Sequence, residues 1–315
     1  MANHQRAESA VQTDAVVQQQ EISATSDRLS IRRQFLFWGV LAMVLLVLAA
    51  ILFPGAVDEG LHAVRGLDSM FFIFVAAGFV AQLIDGSLGM AYGVSASTFL
   101  MSFGVPPAAA SASIHTAEIF TSGISGLSHL KFKNVNKKLF RSLLIPGVLG
   151  AIAGAYILTS FESYNAIIRP IVAVYTLILG AIIIRKALVA RKQKRKTRNI
   201  PALAAFGGFM DSVGGGGWGP IVASTLIAKG RSPRYTIGSV NLAEFFISFS
   251  SSLTFFATLG ISYLQIIAGL VIGGAVAAPF AAYLTHRLPL RRMMLVVGVV
   301  IVLVSIRLIY ISLTR

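Results

Sequence analysis

The amino-acid sequence reads as an all-α polytopic membrane protein. It is an inverted-topology repeat, each unit a re-entrant helical hairpin plus three transmembrane helices, with one extra N-terminal transmembrane helix. Three observations carry this reading. Of 315 residues 56% are hydrophobic and 12% charged, about half the charge usual in soluble domains. Apolar runs close to the ~20 residues that cross a bilayer recur along the chain. The sequence also matches itself at an offset of 126 residues, the mark of an internal repeat.

Taken in order, residues 1–30 are polar and rich in Gln and Ser, the composition of a disordered cytoplasmic tail. The run Phe35–Phe53 is about 19 residues long and starts too far from the N-terminus for a cleavable signal peptide. It gives the extra transmembrane helix within 31–54. Repeat unit 1 spans 70–185, a basic cytoplasmic linker 186–199 and repeat unit 2 200–313. Unit 1 opens with an apolar stretch, Met70–Phe103, interrupted by Gly, followed by runs Ala108–Ser128, Ser142–Thr159 and Ala166–Ile184. Unit 2 opens with the interrupted stretch Pro201–Ala228, followed by Asn241–Leu259, Tyr263–Leu284 and Met293–Leu313.

The offset pairs polar and Gly positions while the apolar filler varies. Asp85 falls on Asp211, Gly89 on Gly215, Gly93 on Gly219 and Tyr92 on Trp218. Further on, Pro107 meets Pro233, Glu118 meets Glu244, Ser122 meets Ser248 and Ser125 meets Ser251. Shared composition alone would not select these residues.

Lys and Arg in short loops mark the cytoplasmic side. Arg28, Arg32 and Arg33 put the tail inside, and the loop with Lys131, Lys133, Lys137, Lys138 and Arg141 is also inside. An odd number of crossings after helix one is then required, which Met70–Phe103 supplies by entering, breaking near Asp85–Gly89 and leaving by the same face. Unit 2 starts inside, after the linker, and returns inside at Lys229, Arg231 and Arg234. On this topology 23 of the 27 Lys and Arg are cytoplasmic and the C-terminus is external. Tilted crossings made of two half-helices are the competing interpretation.

The broken segments carry the chemistry. Gly86, Gly89 and Gly93, and Gly214, Gly215, Gly216, Gly217 and Gly219, permit unwound backbone where a ligand approaches main-chain N–H groups. Four consecutive Gly in a helix forfeit about 3–4 kcal/mol of propensity, which close helix packing does not explain. Each restarted half-helix would aim its positive end at an anion near the midplane. Ser87, Tyr92 and Trp218 flank the breaks as substrate-lining candidates. Arg169 is either an anion contact or a residue snorkelling to the interface.

Asp85 and Asp211 precede the breaks, either as caps of the restarted helices or as proton carriers. Glu118 and Glu244 occupy equivalent membrane-depth positions; they are read as proton-coupling groups or as polar glue between helices. His115 lies one turn before Glu118 on the same side, where an imidazole beside a carboxylate can relay protons, and Asn241 holds its place in unit 2.

There is no Cys, which removes disulfides, thiol chemistry and thiolate metal sites. No metal and no cofactor is expected. The net charge of +15 sits in loops between apolar helices, so topology rather than nucleic acid explains it.

The stretches "GFVAQLIDGSLGMAYG" and "GVPPAAASASIHTAE", with "GGFMDSVGGGGWGPIVASTLIAKGRSP" in the second half, resemble the sulfite exporter TauE/SafE family of membrane transporters. The resemblance covers 70–313. It implies export of sulfite or a related organosulfur anion such as sulfoacetate, coupled to the proton gradient. The first half departs from the family's Gly-rich pattern, with "SLGMAYG" where the second has "VGGGGWG".

The function expected is therefore a secondary transporter in the cell inner membrane. Its partners are a small anionic substrate, the lipid bilayer and, as an open choice, a second copy in a homodimer. The alternatives are an anion channel of the same fold and an intramembrane hydrolase using Ser87. The latter needs His115, the one histidine within an apolar span, as base. An enzyme is not expected.

Overall fold

The computed structural model describes residues 69–189, 199–260, 263–287 and 289–314, all within one unit, Asp68–Arg315. The N-terminal tail, the helix expected at Phe35–Phe53 and most of the basic linker lie outside the described residues. Every regular element among those residues is helical. Five helices there are long and apolar enough to cross a membrane: Ser69–Leu88, Lys137–Ser160, Glu162–Leu188, Pro233–Leu259 and Arg291–Thr314.

In chain order the helices are α1 (Ser69–Leu88), α2 (Tyr92–Ser102), α3 (Pro107–Lys131), α4 (Lys137–Ser160) and α5 (Asn165–Leu188). Then come α6 (Ile200–Gly214), a π-helical turn (Trp218–Ala223) running into α7 (Ser224–Ala228), α8 (Pro233–Leu259), α9 (Leu264–Arg287) and α10 (Leu290–Thr314). Both α1 and α6 stop on residues 126 apart, and so do the starts of α2 and the π-turn and those of α3 and α8. Local chemistry explains the shared bounds. Pro107 and Pro233 open their helices, where a missing N–H costs nothing. Gly104 and Gly230 turn the chain ahead of them at φ 92 and 88. Asn136 and Asn199 cap α4 and α6, accepting from Leu139 N at 3.0 Å and Ala202 N at 3.2 Å.

Packing follows the repeat. Helix α1 lies on α9, and α6, its match at the offset of 126 residues, lies on α4, the match of α9. The pairs α3 with α8 and α5 with α10 each join equivalent helices of the two units. Small residues let these backbones touch, as membrane helices require: a Cβ on Gly150 would sit 2.1 Å from the Ala205 carbonyl oxygen. Phe72, Ile124, Leu149, Ile171 and Leu303 point outward, the surface a bilayer would cover.

The first break falls at the far end of the expected segment Asp85–Gly89. α1 continues through Asp85 to Leu88, and the chain turns at Gly89 (φ 68) and Ala91 (φ 86). The second falls at 215–217, with Gly215 at φ 66.

Candidate functional site

Irregular backbone survives at membrane depth only if protein or a polar cavity satisfies it. At the second break the freed carbonyls are met by side chains from three other helices. Ser97 Oγ donates to Gly214 O at 2.7 Å, Tyr175 Oη to Gly216 O at 2.9 Å and Ser111 Oγ to Ser212 O at 2.5 Å. Asp211 Oδ1 accepts the backbone N–H of Trp218 at 2.8 Å. In unit 1 the Tyr92 backbone N–H faces the Asp85 carboxylate in the equivalent place. Asp211 thus caps its restarted helix, and Asp85 stands in the matching position.

The two breaks meet. A Cβ on Gly93 would lie 2.5 Å from the Gly215 carbonyl oxygen, and one on Gly216 would lie 2.1 Å from Val94 N. The space left at this crossing is about 10 Å³, bounded by Gly93, Gly216, Gly217, Glu118 and Asp211. It holds about one water. Beside it opens a cavity of about 240 Å³ lined by Gln82, Asp85, Gly86, Gly89, Tyr92, Glu118, Asn241 and Glu244, and by Ser122, Ser125 and His129 along α3.

Three carboxylates line this cavity, and His129 is the only basic side chain among its lining residues. Glu118 is 5% exposed and takes a hydrogen bond from Ser248 Oγ at 3.3 Å on Oε2. Asn241 donates to Ser125 Oγ at 2.8 Å. The Tyr92 hydroxyl is buried without a partner. His129 stands beyond the apolar run that ends at Ser128, and partial burial lowers its pKa below the ordinary 6.5.

His115 is not turned to Glu118 as the sequence suggested. It is fully buried, with Nε2 3.2 Å from Asp211 Oδ2 and Nδ1 2.8 Å from the Ser111 carbonyl oxygen. Three residues on a helix differ by about 60° in direction, so His115 faces α6 while Glu118 faces Gly93 and α8. His115, Glu118 and Asp211 still present ligand-capable atoms all within 4.8 Å of one another.

Other expected residues fall elsewhere. Ser87 donates to the carbonyls of Leu83 and Ile84 in its own helix and lines an apolar cleft with Met293, Val296 and Val297. It makes no pair with His115, the base that the hydrolase reading requires. Arg169 Nη2 donates to Met101 O at 2.6 Å, capping the end of α2, and does not line the cavity. Trp218 is fully buried, its Nε1 held by Val240 O at 3.1 Å; it is core, whereas its counterpart Tyr92 lines the cavity.

Sequence reasoning missed Gln82, Ser97 and Tyr175. Gln82 stands one turn before Asp85 and Gly86 on the same face, a pattern that could have flagged it. Ser97 and Tyr175 are single polar residues on apolar helices, and only the fold reveals their partners.

The sulfite exporter TauE/SafE family profile matches residues 73–308. The probable membrane transporter protein YtnM of Bacillus subtilis (strain 168) is 39% identical over 246 residues, covering 75% of this chain and 81% of that protein. No solved structure gives a significant match.

Proposed function

Because the chain belongs to the sulfite exporter TauE/SafE family and is a membrane transporter, we propose that it is a secondary transporter. It exports a small sulfur-containing anion, sulfite, sulfoacetate or a related organosulfonate, and moves protons with it. The observation that carries this reading is the cavity in which Asp85, Glu118 and Glu244 face one space beside the crossing of the two breaks.

Two like charges ~6 Å apart repel by about 3 kcal/mol at an effective permittivity of 20. An anion would not settle against three carboxylates unless protons neutralised them, so anion and protons bind together. When one of those protons leaves with a dianion and the others stay on the protein, negative charge still moves outward. An inside-negative potential, worth about 2.3 kcal/mol per charge per 100 mV, then drives export.

The gate is the crossing: its ~10 Å³ closes one end of the cavity, and rocking one unit against the other would open it. Re-entrance draws its support from the short arms, since the 20 residues of α1, about 30 Å, are long enough to cross. The 11 residues of α2 span about 16 Å, half a bilayer, and the breaks lie beside Glu118, midway along α3. His129 and Ser125 place the cavity mouth toward the loop with Lys131, Lys133, Lys137, Lys138 and Arg141. The positive-inside rule makes that face cytoplasmic, and those cations would concentrate anions at the mouth. The site is then inward-facing, in the cell inner membrane, with the C-terminus external.

The test is efflux of labelled sulfite or sulfoacetate from proteoliposomes containing the purified protein, with a potassium-diffusion potential imposed and a lumenal pH dye. Potential-driven efflux with lumenal alkalinisation is expected. Absence of flux for sulfite and all sulfonates would refute the substrate class. Flux without a pH change, with steady conductance in planar bilayers, would identify an anion channel instead.

A further inference from the structure

We propose that His115, Glu118 and Asp211 form a binding site for a divalent transition-metal cation of the zinc type, at the crossing of the two breaks. The proposal goes beyond the transport reading and does not depend on it.

It starts from a hydrogen-bond count. Ser111 Oγ spends its proton on Ser212 O at 2.5 Å, so toward the His115 Nδ1, 3.3 Å away, it can only accept. The Ser111 carbonyl oxygen, 2.8 Å from the same nitrogen, is also an acceptor. Nδ1 therefore carries the hydrogen, and in neutral imidazole Nε2 is then a bare lone pair. That lone pair faces Asp211 Oδ2, another acceptor, at 3.2 Å. Either a second proton on the imidazole, which makes the contact an ion pair, or a cation between the two relieves this.

A shared proton would serve the pair alone, but the surroundings are built for three ligands. Each member has one atom tied by an outer partner and another left toward the others. His115 Nδ1 is tied to Ser111 O, Asp211 Oδ1 to Trp218 N–H and Glu118 Oε2 to Ser248 Oγ. Outer partners of this kind orient metal ligands and fix the histidine tautomer. Ligands ~2.0–2.1 Å from a tetrahedral cation stand about 3.3 Å apart, close to the His115–Asp211 separation. Two carboxylates and a neutral imidazole carry a charge that a dication balances in a buried place, where His115 is 0%, Asp211 2% and Glu118 5% exposed.

A second observation points to a ligand. Tyr92, 4% exposed, lines the same small space with Glu118 and Asp211, and its hydroxyl has no partner. It is available to bond a water in that space, onto which two of the three ligands, Glu118 and Asp211, open. The route in is the acidic cavity, which Glu118 shares. One nitrogen and two carboxylate ligands favour zinc-like ions over magnesium or calcium. The ion would join α3 to α6 and hold the crossing closed.

The test is titration of the chelator-stripped, full-length protein in lipid nanodiscs with Co2+, read by visible absorption, with Zn2+ as competitor. One tetrahedral band saturating at one Co2+ per chain is expected. His115→Gln, Asp211→Asn and Glu118→Gln should each weaken binding at least ~10-fold, while Glu162→Gln, on a distant 3-10 turn, leaves it unchanged. The chain has no Cys, so His115→Cys should restore binding with a new thiolate-to-cobalt band, separating ligand loss from misfolding. No band in the wild-type protein at millimolar Co2+, or a band of equal affinity in the three variants, would overturn the proposal.

Discussion

The Asp211 carboxylate holds the backbone N–H of Trp218 at 2.8 Å across the second break, while its other oxygen faces His115 Nε2 at 3.2 Å. One side chain thus caps a restarted helix and pairs a buried imidazole. The two roles separate on substitution. Asparagine keeps the cap oxygen, and its amide N–H can donate to the His115 lone pair, so Asp211→Asn should fold with little loss of stability. Asp211→Ala removes the cap and strands a buried histidine, at a cost of about 3 kcal/mol or more. Thermal unfolding in detergent should show a large drop in Tm for alanine alone; equal drops would refute the dual role.

Neutral replacements of the cavity carboxylates imitate their protonated forms. In chelator-stripped protein, Glu118→Gln and Glu244→Gln should raise anion affinity at pH 8 at least ~10-fold, since about 3 kcal/mol of repulsion disappears for each charge ~6 Å away. Lumenal alkalinisation per anion exported should fall. If both variants keep wild-type affinity and proton stoichiometry, the carboxylates do not carry the coupling.

Much of this was legible in the sequence because the repeat is a fixed offset. The pairing of Asp85 with Asp211 marked both as cap or proton carrier, and that of Glu118 with Glu244 marked two acids that line one cavity. What the offset could not give was partnership across the two units. His115 finds Asp211 96 residues away, and no helical spacing encodes that distance. The repeat also hid asymmetry: Tyr92 and Trp218 are equivalent in sequence, yet one lines the cavity and the other fills the core. Arg169 left two readings open, an anion contact and a residue snorkelling to the interface, and a helix end whose carbonyls lack N–H partners claims it instead of the cavity.

At the crossing Gly93 and Gly216 act through close approach rather than backbone conformation. Gly93→Ala would drive a Cβ to 2.5 Å from the Gly215 carbonyl oxygen, an overlap worth about 1–3 kcal/mol or more. Gly89 has open space around its missing Cβ and a positive φ of 68, so Gly89→Ala costs only the left-handed penalty of about 1–2 kcal/mol. Gly93→Ala should therefore lower Tm and membrane yield more than Gly89→Ala. The reverse order would mean that the two breaks do not touch.

Burial lowers the His129 pKa below 6.5. Between the folded and unfolded pKa values the unfolded chain binds more protons, so stability rises with pH across that interval. The neutral imidazole's contribution is complete above pH 6.5 and is lost as pH falls through the folded value. Wild-type protein should lose more Tm between pH 7.5 and pH 5.5 than His129→Gln, which has no proton to gain there. Parallel losses in both would remove His129 as the source.

The Tyr92 hydroxyl separates stability from function most cleanly. It is buried beside Glu118 with no hydrogen-bond partner in the protein, so Tyr92→Phe deletes no bond and should leave Tm unchanged or raised, since a buried unmet polar group costs about 1–3 kcal/mol. A donor kept at such a cost at the end of an acidic cavity would meet the transported anion, or a water that accompanies it. Losing a charge-assisted bond of about 1.5–3 kcal/mol should weaken anion affinity by roughly ten- to a hundredfold. Counterflow of labelled anion, set beside the melting curve of the same preparation, reads both effects. Unimpaired transport with an unchanged Tm would remove Tyr92 from the substrate path and leave it as packing.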